Sequence, residues 1–186
     1  MRLETERLVL RLPEPADAES YAAVWSDPEV VRFLSGKLWT VDDARHAIDR
    51  MRRHWEWFGL GLFSVVRNED ERVLGRVGFL VWDPKRWVNG HGEKLEPPVE
   101  TEVGWTLGRE YWNRGYATEA ALACRDLALG ELGLTRLISL IARGNQASVR
   151  VAEKIGEHFE REVGDGFFPR RVDLYSLEAG GQSPAR

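Results

Sequence analysis

The sequence is poor in cysteine, on which disulfide-stabilised proteins and thiol enzymes depend. It has a single cysteine among 186 residues, so no internal disulfide can form. Cys124 falls in an apolar helical stripe with no histidine at a recognisable spacing, and we therefore assign it to the core rather than to catalysis. A chain of this length needs no stapling by a metal or a disulfide, and we assign no metal site.

Long apolar runs and an excess of one charge are also lacking. No stretch reaches the roughly 18 consecutive apolar residues that a membrane-spanning helix requires, and the N-terminus has no apolar signal segment. The formal net charge is only −4, and the basic residues are scattered among acids, so no electrostatic footprint for nucleic acid is present. We expect a cytoplasmic protein that binds neither membranes nor nucleic acid.

The chain has no internal repeat or long linker, and its segments alternate between hydrophobic periods of 2 and 3.6 residues. This pattern predicts one α/β domain over residues 1–177 and a disordered tail over residues 178–186. Strands are expected at residues 7–11, 62–66, 73–81, 101–107 and 135–142, with two more flanking a turn at 164–166. Helices are expected at residues 17–25, after Asp27, from Thr40 to Gly59, from Ala117, and from Asn145 to Ile155.

The segment 83–100 interrupts the predicted strands and is rich in proline and glycine. Such a segment is either a solvated surface loop or the rim of a substrate site. We interpret His91, which lies within it, as a surface side chain rather than a catalyst.

A glycine-containing turn precedes the helix that is expected from Ala117. Backbone N–H groups at a helix N-terminus can bind phosphate oxygens, and Gly115 permits close approach of such a ligand. Asn113, Arg114 and Thr118 add side-chain donors around the same point. The alternative is an ordinary turn, because a glycine before a helix often has no other role.

The segment Trp112-Asn113-Arg114-Gly115-Tyr116-Ala117-Thr118-Glu119-Ala120 resembles motif A of GNAT acetyltransferases, whose pattern is Gln/Arg-x-x-Gly-x-Gly/Ala. Trp112 stands at the Gln/Arg position, and this departure is similar to the RimJ/RimL-like branch, the ribosomal-protein alanine N-acetyltransferases. Further segments that fit this branch are Thr5–Arg11, Asp27–Val30, Glu102–Leu107, Asn145-x-x-Ser148 and Glu153–Gly156. Together the matches cover about nine-tenths of the chain in the family's order.

The resemblance implies a GNAT fold, in which a mixed, mostly antiparallel central sheet is splayed at the cofactor site and flanked by helices. Acetyl-CoA is then the acyl donor. Its pantetheine arm would pair with the strand that ends at Leu107, its diphosphate would lie on the motif A loop, and Asn145 and Ser148 would reach the thioester end. The residues that the resemblance assigns to the cofactor are Trp105, Thr106, Leu107, Asn113, Arg114, Gly115, Tyr116, Ala117, Thr118, Asn145 and Ser148.

The resemblance also implies direct attack of a primary amine on the thioester within one ternary complex. Glu102 is the candidate base, acting through water, and the alternative is an exposed strand glutamate. Many GNAT enzymes have a tyrosine acid where this chain has Ala152, so Ser148 is the second candidate catalytic residue and would orient the departing thiolate. Glu157-His158 follows Gly156 where the family more often has an aromatic residue, which leaves the local packing open.

The acceptor is the least determined part of the prediction. Deprotonating an α-amine with a pKa near 8 costs about 1 kcal/mol at pH 7, against about 4 to 5 kcal/mol for lysine. A weak base therefore suffices for N-termini, and the leading hypothesis is the N-terminal α-amine of a protein or peptide. The acceptor pocket is expected from the helices at 25–33, from the segment 83–100, and from Phe167 and Phe168.

Two other functions stay open. A small-molecule amine, such as an antibiotic or a polyamine, would be favoured if Asp27, Glu29 and the acids of 83–100 formed an acidic cleft. A non-catalytic acyl-CoA-binding sensor is indicated by Ala152. The chain is expected to be a monomer or a homodimer.

Overall fold

The computed structural model describes residues 1–163, 168 and 171–180, and these form an eight-stranded sheet with helices on both faces. The strands are β1 (Arg2–Glu4), β2 (Leu8–Arg11), β3 (Leu62–Arg67), β4 (Val73–Trp82), β5 (Glu100–Leu107), β6 (Arg136–Ala142), β7 (His158–Val163) and β8 (Val172–Glu178). The helices are α1 (Ala18–Trp25), α2 (Pro28–Val31), α3 (Val41–Phe58), α4 (Tyr116–Leu129) and α5 (Gln146–Lys154).

The sheet opens between its two parallel strands. The strand order is β1-β2-β3-β4-β5-β6-β8-β7, and every neighbouring pair except β5 and β6 is antiparallel. β4 and β5 are paired along their length, whereas β5 and β6 share one residue pair, Glu102 opposite Ile138. The predicted splayed, mostly antiparallel sheet is therefore confirmed.

Local capping signals set the helix ends where the sequence predicts them. Thr40 and Asp43 form a reciprocal capping box at the start of α3, and the helix ends at Gly59 in a left-handed conformation with φ of 69°. The Asn145 side chain accepts a hydrogen bond from the Ser148 amide and begins α5. These caps supply donors and acceptors that a helix terminus otherwise lacks.

The two faces of the sheet carry different helices. Val103 and Leu107 of β5 pack with Ala121 and Cys124 of α4 in one buried cluster, and Cys124 is fully buried as predicted. On the other face, α1 and α3 form a second cluster that includes Trp25. Successive side chains of β5 point to opposite faces of the sheet. Because each fully buried aliphatic side chain contributes about 1.5–3 kcal/mol to folding, Val103 and Leu107 face α4.

The structure differs from the expected elements in two places. β1 was not predicted because Arg2–Glu4 is short and polar. The segment 83–100 is not a fully solvated loop, since Trp87 and Leu95 are buried and Asn89 forms an isolated bridge with Trp82. No helix in the described part of the chain has the length and apolar character to cross a bilayer.

Two expectations fall partly or wholly beyond the described residues. The turn at 164–166, Phe167 and the end of the tail at 181–186 lie outside them. β8 reaches Glu178, one residue past the expected domain end at 177, and residues 179–180 form a turn.

Candidate active site

A cavity of about 430 Å³ occupies the opening between β5 and β6. One part of it lies beside β5, β6 and α5, and is lined by Trp105, Thr106, Ile141, Ala142, Asn145 and Ser148. The other part lies over β4 and is lined by Phe33, Leu34, Arg76, Leu80, Trp82, Asn89 and Phe168. Glu102 and Gly104 lie between the two parts, so a single cavity connects the regions that the sequence assigns to donor and acceptor.

The opening follows from how β5 and β6 separate. Beyond Glu102, β5 has no residue paired with β6 in the described chain, so the edge of β5 that faces β6 has backbone groups without sheet partners. At the closed end, the Ser139 hydroxyl donates to the Val103 carbonyl at 2.7 Å and ties the two strands together. Trp105 and Thr106 line the cavity, whereas Leu107 is buried in the core beneath α4.

The predicted phosphate loop has the conformation that such a loop needs. Asn113 has φ of 57° and Gly115 has φ of 83°, and α4 begins at Tyr116 directly after them. No side chain caps this helix, so its first amides are free for a ligand. The Arg114 and Asn113 side chains are exposed, and those of Ala117 and Thr118 are half-buried.

Arg7 fixes this loop from the other end of the chain. Its guanidinium donates to the Arg114 carbonyl at 2.9 Å and to Glu119 Oε2 at 2.7 Å, and it lies 4.6 Å from the centroid of the Tyr116 ring. Thr5 donates to the other oxygen of Glu119 at 2.6 Å. The opening segment of the sequence therefore holds the loop, a contact that spacing along the chain does not reveal.

Trp112 contacts the end of β5 rather than the loop amides. Its indole N–H donates to the Leu107 carbonyl at 2.8 Å, while the ring remains partly exposed. The residue that departs from the motif A pattern thus connects the strand to the loop.

α5 contributes two of the predicted residues to the cavity. The Asn145 side chain caps the helix, and both Asn145 and Ser148 also line the cavity, so capping and ligand contact are compatible. Ala152, one turn further along, is fully buried and cannot supply an acid.

Glu102 is buried at the junction of the two parts of the cavity, and the exposed-glutamate alternative is wrong. Only 9% of the residue is exposed, and its Oε2 accepts a hydrogen bond from the Trp82 indole at 2.6 Å. A Cβ added at Gly104 would lie 3.5 Å from Oε1 and would contact no other residue within 4 Å. The second carboxylate oxygen therefore lies over the open floor of the cavity.

The environment of Glu102 raises its pKa to about 7. Burial is the main cause, because it disfavours the charged form, and the Trp82 indole, the Leu140 amide and the Arg76 charge partly offset it. A carboxyl group with this pKa is ionised in about half of the molecules at neutral pH, which suits a proton acceptor.

The histidines near the cavity are neutral and do not compete with Glu102 as bases. His54 hydrogen-bonds the Leu60 carbonyl through Nδ1 and the Val81 amide through Nε2, and burial lowers its pKa to about 4. His91 packs against His54, with ring centroids 5.6 Å apart, and burial lowers its pKa to about 3. His91 was expected to be a surface side chain rather than a catalyst; it is half-buried, because the segment 83–100 folds back onto α3.

Glu157 is a second buried acid, and its burial was not predicted from the sequence. It is 3% exposed, and neither carboxylate oxygen has a hydrogen-bond partner among the described residues. Burial raises its pKa to about 8, the nearby Ser139 hydroxyl opposes this effect although it donates to Val103, and the charge of Glu102 adds to it. A buried, neutral carboxyl thus fills the position where the family pattern has an aromatic ring.

A second hollow, of about 690 Å³, lies between α1, the start of β4 and the 3-10 turn Arg109–Tyr111. It contacts neither Glu102 nor the Gly115 loop. Although this hollow is larger, it lies away from both groups. We therefore assign the active site to the cavity between β5 and β6.

A sheet splayed between two parallel strands, with a glycine turn before α4, is the arrangement expected of acyl-CoA-dependent acyltransferases. The family model "Acetyltransferase (GNAT) domain" matches residues 7–158, and the chain belongs to this family. It is therefore an acetyl-CoA-dependent acyltransferase that uses acetyl-CoA as donor.

Individual relatives are consistent with this assignment. The uncharacterized N-acetyltransferase p20 of Bacillus licheniformis is 30% identical over 161 residues, which are 86% of this chain and 83% of that protein. A GNAT-family acetyltransferase structure from Bacillus anthracis has a TM-score of 0.77 and 25% identity, over 97% of this chain and 100% of that one. RimL, a ribosomal L7/L12 α-N-protein acetyltransferase solved with coenzyme A, shares the fold with a TM-score of 0.76 at 12% identity, over 96% of this chain and 98% of that one.

Proposed function

We propose that this acetyltransferase acetylates the N-terminal α-amine of a protein or peptide by direct attack on the thioester in a ternary complex. The observation that carries the proposal is the position of Glu102, a buried acid with a pKa of about 7 whose Oε1 lies over the cavity floor at Gly104. A base of this strength matches an α-amine with a pKa near 8 and is too weak for lysine by about three units. RimL, which shares the fold, acts on a protein α-amine.

In this proposal the donor occupies the part of the cavity beside α5. The diphosphate of acetyl-CoA lies on the amides of residues 113–118, and the pantetheine arm pairs with the free edge of β5 at 105–107. Asn145 and Ser148 contact the thioester end. Because a thiol with a pKa near 8.5 leaves readily as the thiolate, Ser148 orients the sulfur and no strong acid is needed at position 152.

The amine of the acceptor then lies beside Glu102. Water bound between Oε1 and the ammonium carries one proton to the carboxylate, and the neutral nitrogen forms a bond to the acetyl carbon. The carbon–sulfur bond breaks, and the second proton lost by the nitrogen passes to the departing thiolate, which gives the amide and free coenzyme A. The cavity does not favour a polycationic acceptor, since Glu102 is its one acidic residue in the described chain. Asp27 and Glu29 do not line it, and Asp27 instead caps α2, so an acidic cleft for polycations is not favoured.

An assay of acceptor classes tests the proposal directly. Purified protein is incubated with acetyl-CoA and with N-terminal peptides, lysine-containing peptides with blocked N-termini, polyamines and aminoglycosides. Free thiol and acceptor mass are followed. We expect acetylation of free α-amines at a rate at least about tenfold above that of blocked lysine peptides, because of the difference in deprotonation cost.

Two results would contradict the proposal. Preferred acetylation of polyamines or aminoglycosides would assign the enzyme to small-molecule amines. Tight binding of acetyl-CoA without thiol release for any acceptor would indicate the non-catalytic sensor.

A further inference from the structure

Arg76 places a positive charge inside the part of the cavity assigned to the acceptor. It lies on β4 opposite Thr106, and Leu80, four residues further along, lies opposite Glu102. Side chains at alternate positions of a strand share a face, so Arg76 and Glu102 are on the same side of the sheet. Both line the cavity, and each charge shifts the ionisation of the other.

The contacts of Arg76 leave most of its donors without partners. The guanidinium lies 4.8 Å from the centroid of Trp25 and 5.8 Å from that of Trp39, which stack on each other. Its one hydrogen bond in the described structure is a weak contact to the Met51 sulfur at 4.0 Å. Rings that contact the face of a guanidinium leave its in-plane N–H groups free.

These free donors reach the cavity and have no carboxylate beside them. Arg76 forms no salt bridge within 4.0 Å to any acid among the residues that the structure describes. Each side-chain nitrogen of Arg76 either has a hydrogen-bond partner or is exposed to solvent. The unpaired donors are therefore accessible from the cavity.

The polar groups around Arg76 already have other partners. Glu102 accepts from the Trp82 indole, and the Tyr21 hydroxyl is bonded to Ser64, which donates to Asp17. Asp17 in turn pairs with Arg11 through two hydrogen bonds of 2.9 and 2.7 Å. Arg50 adds a second positive charge nearby. A half-buried, always charged guanidinium without a directly paired carboxylate is costly, and a bound anion would offset that cost.

We propose that Arg76 is a specificity residue that binds an anionic group on the acceptor, a few bonds from the amine that is acetylated. This inference rests on the proposed function, because it takes the amine to lie at Glu102. The backbones of residues 76 and 80 are roughly 13 Å apart. Gly104 leaves the floor between the two charged side chains open, so a short, extended acceptor fits between them.

Two sources can supply such an anion. One is an acidic side chain at the first or second residue of a peptide, and the other is the α-carboxylate of a free amino acid. Both present two oxygens to the planar fork of an arginine, which binds them through paired hydrogen bonds.

The test compares kcat/KM for matched acceptors that differ only in the anionic group. One series is a peptide that begins Ala-Glu, Ala-Gln or Ala-Lys with the remainder unchanged, and the other is free alanine against alaninamide. We expect the anionic member of one series to be preferred by roughly 10- to 100-fold, the range for a hydrogen bond to a charged group. Preference within the peptide series identifies a side chain, and preference for alanine identifies an α-carboxylate.

Substitutions then connect the preference to Arg76. In Arg76→Gln the preference should fall to within about threefold, while Arg76→Lys should retain part of it because the charge remains. Arg50→Gln is the matched control, since it removes a neighbouring positive charge that does not line the cavity, and it should retain the full preference. Equal kcat/KM for anionic and neutral acceptors in the wild type, or equal loss in Arg50→Gln, would overturn the inference without involving the folding of the Arg76 variants.

A binding measurement separates failure of this inference from failure of the proposed function. The N-acetylated Ala-Glu and Ala-Gln peptides are titrated into the protein with coenzyme A present. If no peptide is turned over but the acidic product binds at least about tenfold more tightly, the anion site stands and the catalytic proposal fails. If peptides are turned over, both products bind equally and alanine is not preferred to alaninamide, the anion site is wrong and the catalytic proposal stands.

Discussion

The substitution Glu102→Gln tests the mechanism most directly, because glutamine keeps the shape of the side chain and can still accept the hydrogen bond from Trp82. Only the capacity to take a proton is lost. At pH 7 an α-amine with a pKa near 8 is about one-tenth neutral, so deprotonation without a base costs about 1 kcal/mol. The variant should therefore have a kcat that is lower by about 10- to 100-fold at pH 7.

The size of this deficit should depend on pH in a defined direction. The pKa of Glu102 is about 7, so the wild-type kcat should fall by about tenfold per pH unit below pH 7, as the carboxylate becomes protonated. In the variant, the pH below which kcat falls should move to the pKa of the acceptor amine, near 8. At pH 9 bulk solvent has already deprotonated the amine, and the deficit should shrink at least about fivefold.

The assay is thiol release at saturating acetyl-CoA with one peptide acceptor between pH 6 and pH 9. Glu100→Gln is the matched control, because it makes the same chemical change on β5 at a residue that does not line the cavity, and its profile should follow the wild type. The affinity for acetyl-CoA should stay within about threefold in both variants. An identical deficit at pH 7 and pH 9, or an unchanged rate, would remove Glu102 from proton transfer.

Three further predictions concern the loop and the buried acids. Gly115→Glu should weaken coenzyme A binding by at least about 100-fold in calorimetry, since φ of 83° disfavours any side chain by about 1–2 kcal/mol and the new charge repels the diphosphate. Gly115→Ala should lose much less affinity. An equal loss of affinity in both variants would refute the charge argument. Arg7→Met should raise the KM for acetyl-CoA by several-fold with little change in kcat, because the loop loses its anchor at the Arg114 carbonyl; an unchanged KM would show that the loop is held without Arg7. Glu157 has a folded-state pKa of about 8, above its ordinary value of 4.5, so the protonated form favours folding and its contribution is lost as pH rises from 4.5 to 8. In chemical denaturation, the free energy of unfolding of the wild type should fall by about 2–3 kcal/mol between pH 6 and pH 8 relative to that of Glu157→Gln. The exposed control Glu153→Gln should retain the wild-type dependence on pH. The same pH dependence in all three proteins would contradict a buried, protonated Glu157.

Features that depend on neighbours along the chain could be predicted from the sequence. Thr40 with Asp43, Gly59 and Asn145 mark helix ends because a cap satisfies backbone groups within three or four residues. The same holds for the loop around Gly115, whose positive φ and position before α4 are local properties. The family pattern extended these local signals to the order of the strands and to the splayed sheet.

Properties set by distant segments could not be predicted in this way. The alternation of β5 allowed either an exposed or a buried Glu102, and only its burial in the folded protein raised its pKa to about 7, against the opposing effects of the Trp82 indole and the Arg76 charge. His91 was assigned to the surface because its sequence neighbours are polar, but the segment 83–100 folds onto α3. Burial of an ionisable group is a sum over elements far apart in sequence, so no short pattern contains it.

The sequence alone therefore determined the family, the donor and the loop that we propose for its diphosphate, because backbone conformation and capping are decided by adjacent residues. The tertiary structure decided which charges face the acceptor. Arg76 and Glu102 lie on different strands, and Glu157 follows a helix on the far side of the opening. Their desolvation and mutual distances exist only once the sheet has opened between β5 and β6 and the helices have closed over its two faces.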